Sequence, residues 1–473
     1  MKSSHHNTPA QEQPPLPPLA ACSLTLHTWQ QRLAPYFARP EVLRHALLFL
    51  QAVLSDIPRK NGWQIAEQAR LARPYGMQRL LSQAVWDADG VRDELRTLVC
   101  QTLHPPPVGP AAASHQHQPL FPVLVIDESG FPKRGHHSAG VAPQYCGRTG
   151  RVENCQVGVF LSYVTQRGHA LIDRELYLPQ DWCDDAPRRQ AAHIPEAVSF
   201  ATKPELAKRM VQRAQAAGLP FDWVVADTVY GHSTDLRLFL EAQGHAYAMA
   251  VPSNEVVCVQ TPTGPLLSDV ANIAQRALRP KDWQRLSQSL GTKGERLFDW
   301  ARLPVLEGGT SDGRHWLVVR RCLDDPHQLA YYLVWAPLHT PLPLMVQAIG
   351  ARWHIEEDLQ TCKALGLDHY EVRSSLGWTR HITLVLLACA LLLSICVQQN
   401  AAAKEPEPEP TTPAATATLI AWTPAEVRHL LAHLLFPPPS SVPFLWAWSQ
   451  FRRTHQYWAG DAHRRRRLKT QLA

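Results

Sequence analysis

The stretch VLVIDESGFPKRG, residues 123–135, runs four aliphatic residues into two carboxylates, Asp127 and Glu128. A second apolar run, DWVVAD at 222–227, also ends on an acid, Asp227. In α/β sheets the carboxyl ends of strands are where side chains leave the core and meet ligands. Carboxylates gathered there repel and raise one another's pKa. A divalent cation removes that cost, and hard oxygen donors suit Mg2+. Either aspartate alone reads as well as a helix N-cap or a turn residue; two in the same setting point further, to a shared ion.

A third acid belongs on a neighbouring helix. The segment ARWHIEEDLQTCKALGLDHYEVR, 351–373, carries Arg352, Glu356 and Lys363, and at about 100° per residue these fall within roughly 40° of one another. One helix face therefore bears cation, carboxylate, cation. Glu357 and Asp358 turn away and are expected to be solvated or salt-bridged. An ordinary ion-paired surface helix is the alternative reading.

The elements that must position these groups follow from periodicity. Glu41–Ser55 has a helical apolar pattern, and Trp63–Ala72 and Met77–Val85 suggest two more helices around PYG. Helix, turn, helix is shared by groove-reading modules and by plain bundles. From Phe121 the pattern becomes α/β: the strand VLVID, a hairpin of 155–164 and 169–178 about TQRG, a helix at Lys203–Ala217, the strand DWVVAD, a helix near Ser233–Gln243 and a strand at Ala246–Val251. Residues 253–340 interrupt this order with β-like pieces and read as an insertion. Helices resume at about Pro343–Ala364 and Arg380–Gln399.

The chain of 473 residues is 45% hydrophobic and 19% charged, the balance of a globular protein with one main domain and smaller parts. Ten scattered cysteines form no CxxC pair, which excludes zinc-finger spacing and a disulfide scaffold and fits a reduced, cytoplasmic setting. The polar, proline-rich start lacks a secretory apolar stretch and reads as a disordered leader. ITLVLLACALLLSICV, Ile382–Val397, is short for a bilayer span and reads as a buried core helix, with a membrane span as the alternative. Residues 401–418 read as a low-complexity linker. In residues 451–473 seven Lys and Arg side chains face one acid, Asp461, so this tail carries as much net charge, +6, as the whole chain. A solvated tail and a phosphate-contacting one are both open.

Three sequence blocks then stand together in order. VIDESGFPKRG, VADTVYG and RWHIEEDLQTCKALGLDHYEVRSSLGWTRH closely resemble the DDE-superfamily endonuclease branch of the transposases of bacterial insertion sequences. R-x3-E-x6-K matches the signature Y-x2-R-x3-E-x6-K of that group. KNGWQIAE and GMQRLLSQAVWDADGVRDELR are similar to its N-terminal part, so the resemblance runs from about residue 40 to about 400. Where the signature has tyrosine this chain has Ile349.

The resemblance implies an α/β, ribonuclease H-like catalytic core with a β-rich insertion, preceded by a small helical domain. Its expected parts are a leader at 1–23, a DNA-binding helical domain at 24–118, core at 119–252, insertion at 253–340, core helices at 341–400, linker at 401–418, and a helical segment with the basic tail at 419–473. It also implies that Asp127, Asp227 and Glu356 form a catalytic triad holding two Mg2+ ions per site, with Mn2+ able to substitute. Cleavage of element ends and joining to target DNA would follow by phosphoryl transfer. The partners implied are double-stranded DNA and a second copy of the chain on paired ends, without a membrane, in a nucleoid-associated protein.

Arg352 and Lys363 are expected to neutralise phosphate, and Trp353 either to stack on an unpaired base or to pack in the core. Lys133, Arg134, His136 and His137 are expected to line the DNA path; the two histidines lack metal-site spacing. The rival readings are a non-catalytic DNA-binding regulator descended from such an enzyme, and a plain nuclease of the same fold.

Overall fold

The computed structural model of the protein describes residues 17–104, 121–147, 149–291, 294–306, 309–402, 421–434 and 441–472. Its centre is a ten-stranded mixed sheet. The strands of the chain are β1 (Val123–Pro132), β2 (Ala142–Cys146), β3 (Arg151–Thr165), β4 (Gly168–Tyr177), β5 (Trp223–Ala226), β6 (Ala246–Val251), β7 (Val256–Thr261), β8 (Gly264–Asp269), β9 (Gln284–Gly291), β10 (Gly294–Pro304), β11 (His315–Arg321) and β12 (Leu329–Trp335). In space the order is β2-β3-β1-β5-β6-β12-β11-β10-β9, with β4 also on β3, while β7 and β8 form a separate hairpin.

Among the described strands only β1, β5 and β6 run parallel to one another. Their apolar runs are buried along their length, Val123–Ile126 and Trp223–Ala226 without a break, as strands covered on both faces require. The hairpin expected about TQRG is β3–β4, and Thr165 pairs with Gly168 across it. The helix expected after it is Lys203–Ala216, started by a capping box in which Thr202 and Glu205 satisfy each other's backbone N–H groups.

Strands β9–β12, within the segment read as an insertion, continue the main sheet. β12 pairs antiparallel with β6, Leu333 opposite Met249, so four strands of the 253–340 segment extend the main sheet. Pairing register depends on a distant partner, which local alternation does not name. The hairpin β7–β8 and the helix Val270–Ala277 cover a smaller apolar cluster against one face of this extension.

The N-terminal helices likewise share the main core. Phe49 and Leu50 of helix Pro40–Leu54 and Val91 and Leu95 of helix Ala88–Leu103 lie in one continuous apolar cluster with β1 and β3. A buried ion network reinforces the join. Asp173 of β4, fully buried, accepts from Arg213 Nε at 2.9 Å and Nη2 at 3.1 Å, with Arg92 and Arg96 of helix Ala88–Leu103 within 3.7 Å. Residues 17–23, expected in a leader, form the start of helix Pro17–Leu33; Ala21 and Cys22 are buried there. The rest of the leader and residues 403–418 of the expected linker lie outside the described residues.

The apolar segment Ile382–Val397 belongs to helix Ser375–Ala402, the one helix among the described residues long and apolar enough to cross a bilayer. Its most apolar window is 94% buried by the protein itself. It packs on β4 and on helices Ala88–Leu103, Pro17–Leu33 and Pro40–Leu54, the situation of a core helix. The basic tail is helical, within Val442–Leu472. Trp448 Nε1 donates to Leu71 O at 3.0 Å and Arg452 pairs with Glu67, so this helix lies against the turn between helices Gly62–Gln68 and Tyr75–Ser82.

Candidate active site

Asp127 does not end its strand. β1 continues on β3 to Pro132, but its parallel pairing with β5 stops at Ile126 opposite Ala226. The next residue on each strand is an acid, Asp127 and Asp227, so the two aspartates emerge side by side where the two strands part. Asp127 Oδ1 accepts from the Glu128 backbone N–H at 2.7 Å. Asp227 caps the short helix Thr228–Gly231, accepting from Val229 N at 3.0 Å; its capping role and its place beside Asp127 coexist.

The turn after Asp227 is held close to β6. A Cβ on Gly231 would collide with the Ala250 carbonyl oxygen, so only glycine fits there. This presses Tyr230 inward, where its hydroxyl donates to Glu128 Oε2 at 2.8 Å while Lys203 Nζ donates to Glu128 Oε1 at 2.6 Å. Glu128 is thus held from two sides, by one cation and one hydroxyl. Neither Lys203 nor Tyr230 was singled out from the sequence, since both reach Glu128 through long-range packing; the signal within VADTVYG is its apolar Val-Tyr-Gly turn after the acid.

Glu356 is brought to the aspartates by Arg352. The expected helix Pro343–Ala364 is two helices, Leu342–Ala351 and Trp353–Ala364, and Arg352 is the joint. Its Nη2 lies 2.7 Å from Glu356 Oε1 and its Nη1 3.7 Å from Asp127 Oδ2. Gly350, just before the joint, admits the Gln288 carbonyl of β9 at a place where a Cβ would clash with that oxygen. Three acids far apart along the chain, at positions 127, 227 and 356, therefore share one locale.

Electrostatics record the crowding. Burial and then the charge of Asp227 push the Asp127 carboxyl up to about 7. Burial and the charge of Glu128 also raise Asp227. The carboxylates offer only hard oxygen donors, and the Arg352 guanidinium offsets part of their mutual repulsion. This donor set fits a divalent cation of the Mg2+ type.

The remaining expected residues divide. Lys363 is half-buried on the same helix as Glu356, and Arg134 is exposed. Trp353 is 39% exposed and carries the Arg296 guanidinium 4.2 Å above its ring, so it is not a core tryptophan. Lys133, expected on a DNA path, is half-buried. Its Nζ donates to Tyr370 O at 2.6 Å and lies over the Tyr370 ring, and burial lowers the amine to about 8. It ties β1 to the segment after helix Trp353–Ala364. Ile349, in the tyrosine position, is buried in the main core. Asp358 and Glu357, expected to be solvated or salt-bridged, both pair with histidines: Asp358, buried, with His169, and Glu357 with His169 and His354.

Two carboxylates follow the parallel pairing of adjacent strands and a third lies on a helix, set against a mixed α/β sheet; together they offer oxygen donors of the kind a hard divalent cation takes. The family profile described as "DDE superfamily endonuclease" matches residues 32–301, more than half of the chain, and the chain belongs to that family. The match includes Asp127 and Asp227 and ends before Glu356. Among curated proteins, the chain is 28% identical over 327 residues to a protein of Microchaete diplosiphon described as "Probable transposase for insertion sequence element IS701". That similarity covers 69% of this chain and 73% of the relative.

Proposed function

We propose that the protein is a DNA transposase, which cuts the ends of an insertion sequence and joins them to target DNA by metal-dependent phosphoryl transfer. The observation that carries the reading is the convergence of Asp127, Asp227 and Glu356 about Arg352 in a member of the DDE superfamily. The name of the Microchaete relative supports the same activity. The strand order β4-β3-β1-β5-β6, an antiparallel meander followed by two parallel strands, supports a ribonuclease H-like core carrying β9–β12 as its extension.

In this mechanism Asp127, Asp227 and Glu356 would hold the divalent ions. Such ions supply Lewis-acid charge to the attacking and leaving oxygens of a phosphodiester. Asp127 and Asp227 are set by their strands and by the backbone N–H groups of Glu128 and Val229, so little rearrangement is required of them. Arg352 exchanges its carboxylate partners for a non-bridging phosphate oxygen, which its planar fork can grip in two places. Lys363 adds a point charge farther along the same helix. Glu128, tied to Lys203 and Tyr230, acts as a positioning residue that keeps the turn after Asp227 in place. Trp353 and Arg296 offer an exposed stacked pair beside the site for an unpaired base.

Double-stranded DNA is the partner, and cutting two ends calls for two active sites and hence a dimer on paired ends. The protein would act in the cytoplasm at the nucleoid. Incubating the purified protein and Mg2+ with the DNA that flanks its own gene tests the reading. Nicking at the element boundary followed by joined products is expected; hydrolysis without joining would leave a plain nuclease, and binding without cutting a regulator.

A further inference from the structure

Glu356 shares the Arg352 guanidinium with Asp127, whereas its neighbours His354 and Glu357 on the same helix converge elsewhere. His354 and Glu357, one helical turn apart, lie on one side of the helix and meet His169 at the start of β4. One ligand atom from each of the three side chains lies within 4.8 Å of the other two. His354 Nδ1 is 3.1 Å and His169 Nε2 is 3.4 Å from Glu357 Oε2. Nitrogen and oxygen ligands on one tetrahedral zinc ion stand about 3.3 Å apart.

A second layer holds these ligands. Asp358, whose residue surface is 7% exposed, has its Oδ1 2.8 Å from His169 Nδ1 and accepts at its other oxygen from Ser162 Oγ. With Nδ1 donating to Asp358, the His169 ring directs the lone pair of Nε2 toward Glu357 and His354. A carboxylate behind a ligating histidine is the arrangement that orients metal-binding imidazoles and strengthens them as donors. The two imidazole rings lie 4.5 Å apart between centroids, and their side chains are only 23% and 17% exposed.

We propose that His169, His354 and Glu357 form a second metal site, which takes a borderline transition ion, Zn2+, and is distinct in chemistry from the all-oxygen site at Asp127. Two imidazoles and one carboxylate suit zinc and disfavour magnesium. The ion joins β4 to helix Trp353–Ala364 and so fixes the helix that carries Glu356; this consequence for catalysis, unlike the site itself, rests on the proposed transposase reading. The competing arrangement is a purely ionic one. There burial opposes but Asp358 and Glu357 hold a proton on His169, whose pKa is raised to about 10.

Zinc binding separates the two. The full-length Asp127→Asn, Asp227→Asn, Glu356→Gln triple variant, stripped with chelator, is titrated with ZnCl2, with CoCl2 as a spectroscopic probe. The site predicts one equivalent of Zn2+ per chain, a visible d–d spectrum with Co2+, and a zinc-dependent rise in Tm. In the same background His169→Gln and His354→Gln lose the equivalent and the spectrum while keeping the far-UV circular dichroism of the metal-free protein. Asp358→Asn weakens zinc by about 10- to 100-fold. A folded triple variant that binds no zinc, or binds it equally well after His169→Gln and His354→Gln, overturns the proposal. Because no DNA enters this measurement, its failure leaves the transposase reading standing, and failure of DNA cleavage leaves the zinc site standing.

Discussion

Asp127 and Asp227 stand at equivalent positions on neighbouring parallel strands, each the first residue after the matched pair Ile126 and Ala226. The register of β1 on β5 is set by four consecutive apolar pairs, Val123 with Trp223 through Ile126 with Ala226. A one-residue slip would turn one aspartate to the opposite face of the sheet.

This proximity has a pH signature. The Asp127 carboxyl, raised to about 7 by burial and by Asp227, titrates near 3.8 in the unfolded chain. A raised carboxyl stabilises the fold below the unfolded value, and that contribution is lost as pH rises through about 7. In chelator the wild type should therefore lose stability between pH 4 and 8 relative to Asp127→Asn, by on the order of 2–4 kcal/mol. Mg2+ should restore the wild type at pH 8 and leave Asp127→Asn nearly unchanged. Urea unfolding at several pH values, with and without Mg2+, reads both effects; parallel curves for the two proteins would contradict the account.

The buried network about Asp173 supplies a prediction on stability alone. Asp173→Ala removes two hydrogen bonds from Arg213, which keeps Glu175, and takes the one fully buried carboxylate from Arg92 and Arg96, which keep the more exposed Asp89 and Asp93. Breaking such a buried pair costs about 3–5 kcal/mol. Equilibrium denaturation should show that loss, with the N-terminal helices and the sheet unfolding in one transition because they share one core.

The tail helix carries Arg464, Arg465, Arg466 and Arg467 exposed, with Asp461 paired to Arg464 at 3.7 Å and Arg465 at 2.8 Å. If this helix contacts phosphate, replacing the four arginines by alanine lowers DNA affinity and flattens the plot of log affinity against log salt by up to about 4 units of slope. Fluorescence anisotropy over a salt series measures this. An unchanged slope would leave the tail as a solvated helix.

Much of the site is visible in the sequence because it rests on local signals. Asp127 and Asp227 follow apolar runs, and Glu356 shares a helix face with Arg352 and Lys363 by spacing alone. What remains hidden depends on distant partners. Lys203 and Tyr230 reach Glu128 across 75 and 102 positions, and nothing in DESG names them. Lys133 looks like a free cation in FPKRG, yet Tyr370, 237 residues away, takes it up. Strands β9–β12 alternate like an independent β unit, but the pairing of β12 with β6 makes them part of the main sheet. Arg352 lies within one continuous helical pattern, and the close approach of β9 at Gly350 accompanies its division into two helices.

The most direct measurement is Mg2+-dependent cleavage of element-end DNA by the wild type and by Asp127→Asn, Asp227→Asn and Glu356→Gln, each first shown to be folded and to bind that DNA. All three variants should lose cleavage by about 100-fold or more with DNA affinity retained. Full cleavage by a folded variant at any one of the three positions would contradict a site built on those three carboxylates.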